Sequence, residues 1–422
     1  MRAPALHGIA RIVIMGLACG FYVYYGVYKM LFAHFDLVGG DFLRGCFAVR
    51  NLLEGRSLYE MPAGVNPLYY PPLSVAVFFP LCVFGPAEAK VSWFVLTHAM
   101  VLSAAWLTYK SCGEQNRRDA ILATLVSFGF SMPLQGLVLT GNLNILILLG
   151  LSVALYALIS RKAGVFPGIF ACFTWIKIYP AGLMLPLVWN RHWKEVGRYT
   201  LIAIALGVLS VSVFGLKAHI FFLEQLPSLS RYVGLYLGLI SFMHVAKLIV
   251  GENHGLLLMV ANAIFALALL SLCCARSRGV ATSERGAATV VVDVVMVMLV
   301  IMLALPSSWG FYHAFLVLPQ SLILFLWLQR RCRFKAIPVF LVLMGVISIW
   351  EIIAYQVPIS TSGLTIRQIG EGREEFLTLY RALYAIPFAL TMGVFTWLLL
   401  NYDELHRGVR GLVIRQEGQV GT

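Results

Sequence analysis

The sequence predicts an all-α, polytopic membrane protein with about twelve transmembrane helices, at roughly 20 residues per crossing, and with outer interfacial helices. Of its 422 residues, 60% are hydrophobic and only 12% are charged, which is roughly half the charged fraction of an ordinary soluble domain. The mean hydropathy is +0.84. The apolar segments lack the alternation of a transmembrane β-strand. This composition excludes a soluble globular enzyme, a disordered chain, a coiled coil and a secreted disulfide scaffold.

A series of apolar runs supplies the predicted transmembrane helices. The runs lie at about 12–32, 71–84, 91–109, 119–138, 142–159, 164–189, 200–215, 255–274, 288–305, 309–328, 337–355 and 381–400. The first run is too long for the apolar part of a signal peptide and lacks a clear cleavage site, so we expect it to remain as a span. No internal repeat and no soluble domain interrupts the series. Residues 1–422 are therefore expected to form a single membrane domain.

The basic residues predict the orientation of the chain. The net charge is +13, and the Lys and Arg residues cluster between apolar runs, as the positive-inside rule describes. The cluster at 330–335 and the basic tail 403–422 are therefore expected in the cytoplasm. Tracing the spans from these points places three long loops outside, at about 33–70, 217–254 and 356–380. Anionic membrane lipids are sufficient partners for this charge, and nucleic-acid binding is not expected.

The path of residues 71–190 has two possible arrangements. Either the short run 71–84 crosses the membrane and 164–189 is one long span, or 71–84 is re-entrant and 164–189 is a hairpin of two half-helices. The second arrangement is favoured because it keeps five basic residues inside. Those residues are Lys110, Arg117, Arg118, Arg161 and Lys162. The amphipathic stretch 231–250 is expected to lie on the outer surface as an interfacial helix.

The eight cysteines give no sign of a metal site. They are scattered, and most of them fall inside or at the ends of apolar runs. The sequence contains no CxxC pair and no spacing of His and Cys suited to zinc. We therefore expect the cysteines to act as small apolar packing residues.

A carboxylate in the first outer loop is the leading catalytic candidate. From Phe42 to Leu53 the apolar residues have helical spacing, so Asp41 lies at the start of a short helix on the membrane surface. There it can cap the helix and interact with its dipole, or act as a general base at the boundary of water and lipid. Asp36 is a nearby rival. The loop ends at Tyr70, a candidate for substrate binding.

A lysine within an apolar run is the second candidate. Lys177 precedes Tyr-Pro, which interrupts the run 164–189 because proline breaks a helix. An intramembrane lysine is costly and is a functional candidate by default. Lys177 therefore suits an anion such as a phosphate, or else it snorkels at the tip of a hairpin. In the favoured arrangement the turn with Asn142 and Asn144 lies on the same outer side, where both amides could bind a headgroup or a sugar.

Further polar and aromatic residues are predicted near the outer side. Trp309 fits an aromatic belt. His313 lies just inside the next span, where it either packs through a hydrogen bond or touches a phosphate or a sugar. Glu351, near the outer end of its run, could line the same cavity, and Arg231 in the amphipathic stretch is another substrate-binding candidate. Asp293 lies near the cytoplasmic end of a span and is expected to reach water.

Taken in order, these segments resemble the polyprenyl-phosphate-dependent membrane glycosyltransferases of the GT-C class. The most similar group is glycosyltransferase family 87, which includes mycobacterial α-1,2-mannosyltransferases and an arabinofuranosyltransferase. The resemblance rests on the order and spacing of short segments within 39–194 and 305–320. They are GGDF…LLEGRSLY, NPLYYPPLSVAVFFPL, LTGNLNILILL, AGVFPG to WIKIYPAGLMLPL followed by basic RHW, and LPSSWGFYHAFLVLP.

The resemblance implies a GT-C-like fold and an inverting transfer of a sugar, with mannose expected, from a polyprenyl-phosphate donor to a lipid-linked or cell-envelope glycan. It implies Asp41 as the base on the acceptor hydroxyl and Lys177 at the donor phosphate, where His313 is a second candidate from the residues themselves. The residues expected to bind substrate are Asn142, Asn144, Tyr70, Trp309, Glu351 and Arg231. The chain departs from the family at two places, since Asn142 stands where Gln is usual and three residues separate Trp309 from His313.

The implied protein is a monomer in the plasma (inner) membrane with its active site facing the periplasm or outside. No cofactor and no required divalent metal are expected. An arabinofuranosyl transferase on the same scaffold is the alternative enzyme. A transporter or flippase for a polyprenyl-linked sugar is the alternative of another class, although a transporter often has paired repeats, which this sequence lacks.

Overall fold

The protein is helical throughout the part that its computed structural model describes. That part comprises residues 3–32, 40–62, 68–113, 116–160, 162–232, 240–250, 254–281, 286–306, 308, 310–330, 332–356 and 377–420. All regular secondary structure in these ranges is helical, so the predicted all-α class is confirmed. One large cluster of buried apolar side chains runs through the bundle from Met30 to Val413.

The helices follow the apolar runs of the sequence. In chain order they are α1 (Ala3–Tyr22), α2 (Gly40–Leu53), α3 (Val75–Cys82), α4 (Pro86–Cys112), α5 (Arg117–Gly129), α6 (Met132–Thr140), α7 (Asn144–Ile159), α8 (Phe166–Ile176), α9 (Leu185–Trp189), α10 (Trp193–Phe214), α11 (Leu216–Tyr232), α12 (Phe242–Val250), α13 (Gly255–Arg278), α14 (Ala287–Ala304), α15 (Val317–Leu328), α16 (Ile337–Gln356), α17 (Leu377–Leu400) and α18 (Tyr402–Val420). A π-helical turn, Val23–Tyr28, extends α1 to Phe32. Short 3-10 helices precede α9 at Tyr179–Met184 and α15 at Gly310–Leu316.

Several of these helices can cross a membrane. Within the described residues, five are long and apolar enough, and the number rises to seven if each of two bent pairs is one span. One bent pair is α5 with α6, which meet at 56°. Six shorter apolar helices accompany them. The polytopic membrane fold is therefore confirmed, while the count of about twelve crossings stays a prediction.

Contacts between distant segments define two ends of the bundle, which we call inner and outer after the orientation that the basic residues predict. At the inner end, Arg11 Nη1 lies 2.8 Å from Asp119 at the start of α5, and Gln329 after α15 donates a hydrogen bond to the same carboxylate. At the outer end, Ile240 N donates to Ser308 O at 2.8 Å. Because α5 starts at the inner end, α4 has to run inward before it. This path supports the arrangement in which 71–84 is re-entrant.

The prediction for two of the cysteines was wrong. Cys46 on α2 and Cys82 at the end of α3 form a disulfide with Cα atoms 5.1 Å apart. The sequence did not indicate the pair because the two residues are 36 positions apart and look like ordinary apolar filling. The other six cysteines, all within the described residues, form no disulfide there, and Cys112, Cys273 and Cys332 are buried as expected.

Two further predictions need correction. The stretch 231–250 is not one helix on the surface, because α11 ends at Tyr232 and α12 begins at Phe242, where His244 and Lys247 are buried. Asp293 does not reach water, since it is 0% exposed. Its carboxylate accepts hydrogen bonds from Trp189 Nε1 at 2.9 Å, Asn190 Nδ2 at 2.8 Å, Ser277 Oγ at 2.6 Å and Tyr402 OH at 2.6 Å.

Candidate active site

Polar side chains from five distant segments meet at the outer end of the bundle. The segments are the start of α2, the residues before α3, the turn between α6 and α7, the break after α8, and the 3-10 helix before α15. We call the group the outer polar cluster and define it as Asp41, Tyr70, Asn142, Asn144, Lys177, Tyr179 and Tyr312. Five of these seven residues are sequence-predicted site residues. The fold therefore brings most of the predicted site together.

Asp41 is held by three side chains. Its Oδ1 accepts from Arg44 Nη1 at 2.9 Å, and its Oδ2 accepts from Asn142 Nδ2 at 2.5 Å and from Tyr70 OH at 3.5 Å. Burial and the Asp41 carboxylate raise the pKa of Tyr70, so its hydroxyl stays protonated and can donate. The Asp41 side chain is 18% exposed. All three donors are side chains, whereas in simple capping the carboxylate would accept from backbone N–H groups in the first turn of α2.

A tight turn places the two asparagines. Gly141 adopts a left-handed φ of 66° and ends α6, where its N–H donates to Val138 O. A residue that has a Cβ atom rarely adopts that backbone conformation. Asn142 Oδ1 then accepts from Asn144 N at 3.0 Å. Because α7 starts directly after this turn, both amides lie at its N-terminus.

Lys177 lies at the helix break that the sequence predicted. The extended conformation of Lys177 ends α8, and the 3-10 helix that contains Pro180 follows. The ammonium group donates to Asn142 Oδ1 at 2.8 Å, to Asn144 Oδ1 at 2.7 Å and to Tyr312 OH at 3.5 Å. Only 7% of the residue is exposed, so the cation is buried and its direct partners are neutral.

Three tyrosine rings complete the surroundings of this cation. Lys177 Nζ lies 5.0 Å from the centroid of the Tyr70 ring, 5.4 Å from that of Tyr312 and 6.0 Å from that of Tyr179. Such cation–π contacts stabilise an ammonium group without neutralising it. Within the described residues no carboxylate lies within ion-pairing distance of Lys177. The positive charge therefore remains available to an anionic ligand.

One buried donor of the cluster lacks a hydrogen-bond partner among the described residues. Asn144 is 0% exposed, and its Nδ2 makes no hydrogen bond with the described part of the chain. Its Oδ1 already accepts from Lys177 and from Tyr179 OH at 2.9 Å. An unpaired buried donor is unfavourable, so the amide nitrogen is suited to an oxygen atom of a ligand.

Residues 68–306, more than half of the chain, match the family model of glycosyltransferase family 87. The chain belongs to this family. It is therefore a glycosyltransferase, and its apolar helices make it a multi-pass membrane protein. No curated protein and no solved structure matches it. The family match covers Asn142, Asn144 and Lys177, whereas Asp41 and Tyr312 lie outside it and join the cluster through the fold.

The remaining predicted residues of this family 87 glycosyltransferase lie elsewhere or outside the described part. His313 is buried, and its Nε2 lies 2.7 Å from the Thr391 hydroxyl, so its observed contact is with α17. Trp309 lies outside the described residues. Glu351 and Arg231 occupy helical positions in α16 and α11, but their side chains lie outside the description. Binding roles for these four residues stay predictions.

The sequence alone missed three members or neighbours of the cluster. Tyr312 looks like an interfacial aromatic, Tyr179 looks like part of a helix break, and Arg44 looks like a solvated residue of α2. The only signal in the sequence was that each lies close to a candidate residue. Tyr179 follows Lys177 by two positions, Arg44 follows Asp41 by three, and Tyr312 directly precedes His313. Within the described residues no group of three or more His, Cys, Asp or Glu could hold a metal ion. Independence from a metal stays a prediction.

Proposed function

We propose that this enzyme transfers a sugar from a polyprenyl-phosphate donor to a hydroxyl group of a lipid-linked or cell-envelope glycan at the outer side of the plasma (inner) membrane. The observation that carries the proposal is the link between Asp41, Asn142 and Lys177. One amide joins a carboxylate to a buried cation, because its Nδ2 donates to Asp41 and its Oδ1 accepts from Lys177. A base and an anion site are thereby fixed relative to each other.

Each group has a role in an inverting displacement. The acceptor oxygen attacks the anomeric carbon, and the bond between that carbon and the phosphate oxygen breaks. Asp41 takes the proton of the hydroxyl as general base. The phosphate leaves with the bonding electron pair, and Lys177 with the free Nδ2 of Asn144 stabilises its charge. A base on one face and a cation on the other favour inversion at the sugar carbon.

A small apolar cavity borders the cluster at Phe315, whose ring lies 5.9 Å from that of Tyr312, and extends away from it along α7. Such apolar surroundings suit a lipid donor. The cavity lies among α7, α8, α14 and α15 and is lined only by apolar side chains, among them Leu151, Met298 and Phe315. α7 carries Asn144 at its start and lines the cavity further along, and Phe315 follows Tyr312 in the same 3-10 helix. The same elements thus present polar groups to a phosphate and apolar groups to a chain.

Mannose is the sugar we propose, by resemblance to the family, and a pentose is the rival. The test is to incubate the purified protein with a glycan acceptor and a panel of polyprenyl-phosphate mannose, glucose and arabinofuranose donors. Mass spectrometry should show one donor converted to polyprenyl phosphate and the acceptor extended by one sugar. Consumption of a nucleotide sugar instead would contradict the lipid donor. Movement of a lipid-linked sugar across a proteoliposome without transfer would contradict the enzyme assignment.

A further inference from the structure

The disulfide links the helix of the proposed base to its neighbour. Cys46 follows Asp41 by five residues, which is roughly 7.5 Å along a helix. Its partner Cys82 ends α3, eight residues after Ser74 and the entry of that helix. The loop closed by the bond contains Tyr70, which donates to Asp41. The loop that the disulfide closes therefore contains Tyr70, one member of the outer polar cluster, and Cys46 lies on the same helix as Asp41, another member.

Close packing accompanies the bond. Gly45 lies against the ring of Phe78 on α3, and a Cβ at this position would overlap that ring. Phe42 packs between the same ring, at a centroid distance of 5.9 Å, and Trp93 on α4, at 4.9 Å. Both phenylalanines and Trp93 are fully buried. This packing defines the position of α2 on α3 and α4, and the disulfide adds a covalent link between α2 and α3.

Contacts of Tyr59 also hold the loop that the disulfide closes. Tyr59 OH donates to Tyr70 O at 3.0 Å, and the Tyr59 ring packs against Phe221 and Phe222 of α11, with centroids 5.4 and 6.3 Å away. Tyr70 is thus fixed through its backbone by one contact and reaches Asp41 through its hydroxyl. The position of Asp41 depends on α2, and the position of Tyr70 depends on the closed loop.

We propose that the Cys46–Cys82 disulfide positions Asp41 for transfer and forms on the oxidising, outer side of the membrane. The inference rests on the proposed function, because it assumes that Asp41 acts there. Closing the bond converts two thiols to one disulfide and releases two protons and two electrons. The electrons pass by thiol–disulfide exchange to a disulfide-bonded oxidoreductase of an oxidising compartment. Disulfides persist in such compartments and are rare in the cytosol.

The chemical reason for a covalent lock is the short range of proton transfer. A general base works only within hydrogen-bond reach of the proton that it takes. A misplacement of about 1 Å can lower a rate by as much as 10²-fold. Lys177 lies on the break after α8 and contacts the Tyr70 ring inside the closed loop, but its hydrogen bonds to Asn142 and Asn144 lie outside that loop. Opening the bond should therefore lower kcat while the donor KM changes little.

The first test concerns the bond itself. A tryptic digest of the purified, unreduced protein should contain the peptides 45–50 and 57–90 joined through Cys46 and Cys82. In intact cells, a membrane-impermeant maleimide should label both cysteines only after treatment with an impermeant reductant. Absence of the joined peptide, or labelling that requires permeabilised cells, would overturn the proposal.

The second test separates positioning from general stability. Reducing the wild-type protein with TCEP should lower kcat about tenfold or more, leave the donor KM within twofold, and speed amide hydrogen exchange in Gly40–Leu53. Reoxidation should restore all three. The double variant Cys46→Ala with Cys82→Ala should have the low kcat and no response to TCEP. The variant Cys19→Ser, which removes a free exposed cysteine of α1, should behave like the wild type.

Several results would count against the positioning role. An unchanged kcat after reduction overturns it, and so does a donor KM that rises as much as kcat falls. If the double variant fails to fold, reduction of the folded wild type still decides the question. If the oxidised wild type transfers no sugar from any polyprenyl phosphate, the proposed function fails. Exchange rates in α2 then report independently whether the disulfide holds the helix of Asp41.

Discussion

Asp41 at the outer end of the bundle and Asp293 at the inner end are both carboxylates that accept hydrogen bonds from side chains distant in the sequence, yet their surroundings differ in kind. Asp293 is 0% exposed, and four neutral donors surround it, which fills the capacity of a carboxylate. Asp41 accepts two bonds from neutral donors and one from the Arg44 guanidinium, and it is partly open, with 18% of its side chain exposed.

Under the proposed function, the same residue type serves two purposes in this membrane protein. The partners of Asp293 come from α9 with the residue after it, α13 and α18, and a saturated carboxylate of this kind ties those helices together. Asp41 keeps an open side and connects through Asn142 to a buried cation. On this proposal, a carboxylate saturated with hydrogen bonds is structural, whereas one with an open side and a linked cation is reactive.

The largest expected effect follows from replacing Asp41. Asp41→Asn keeps the size of the side chain and removes the base, so sugar transfer should fall by about 10²–10⁴-fold. Donor binding should persist because Lys177 is untouched. The measurement is transfer by the purified variant, with Glu54→Gln, in the exposed part of the same loop, as the matched control. Full activity of Asp41→Asn would remove the distinction between the two aspartates.

Replacing the buried cation should have the next largest effect. Lys177→Met keeps the apolar length but removes the charge, and loss of one stabilising donor typically costs about 10²–10³-fold in kcat. The donor KM should also rise, because the ground-state phosphate loses the same contact. Thermal-shift protection by polyprenyl phosphate measures binding without catalysis. Lys90→Met in α4 is the control. Unchanged protection in Lys177→Met would argue that the lysine only stabilises the break.

The Asn142 side-chain amide, which connects Asp41 to Lys177, allows a more specific test with a smaller expected effect. Asn142→Ala removes both the donor to Asp41 and the acceptor from Lys177. We expect transfer to fall tenfold or more, since even one hydrogen bond to a charged group contributes roughly 1.5–3 kcal/mol and about 1.4 kcal/mol corresponds to a tenfold change in rate. Asn142→Gln keeps both functions on a longer side chain and should lose less. Steady-state kinetics of the two variants provide the comparison. Equal losses would show that the amide chemistry is not what matters.

The inner aspartate should give the smallest effect on activity. Asp293→Asn places an amide nitrogen opposite neutral donors, and leaving such groups unpaired costs about 1–3 kcal/mol of stability. The unfolding temperature should therefore fall, while kcat stays within twofold in the folded protein. A large loss of kcat without a loss of stability would mean that Asp293 takes part in the reaction after all.

The sequence was most informative where a single residue violates its surroundings. A charge in an apolar run marks Lys177, and a helical pattern beginning at a carboxylate marks Asp41, so both could be found without coordinates. The apolar runs located the helices, because a helix that crosses a membrane needs a continuous apolar segment. By contrast, the partners of Asp293 lie as much as 109 positions away in the chain, and the two bonded cysteines resemble packing residues. Such pairings depend on how helices are arranged, which hydrophobic periodicity does not specify.

Gly141 sets the rotational phase of α7. An α-helix turns by about 100° and rises 1.5 Å for each residue, and α7 is apolar on nearly every side, so its hydropathy pattern does not specify its rotation. The left-handed turn at Gly141 fixes where the helix begins and therefore the direction in which Asn144 points. One residue inserted after Gly141 would leave composition and hydropathy almost unchanged, yet it would swing that amide away from Lys177. The spacing of this turn is thus a constraint that point substitutions do not reveal.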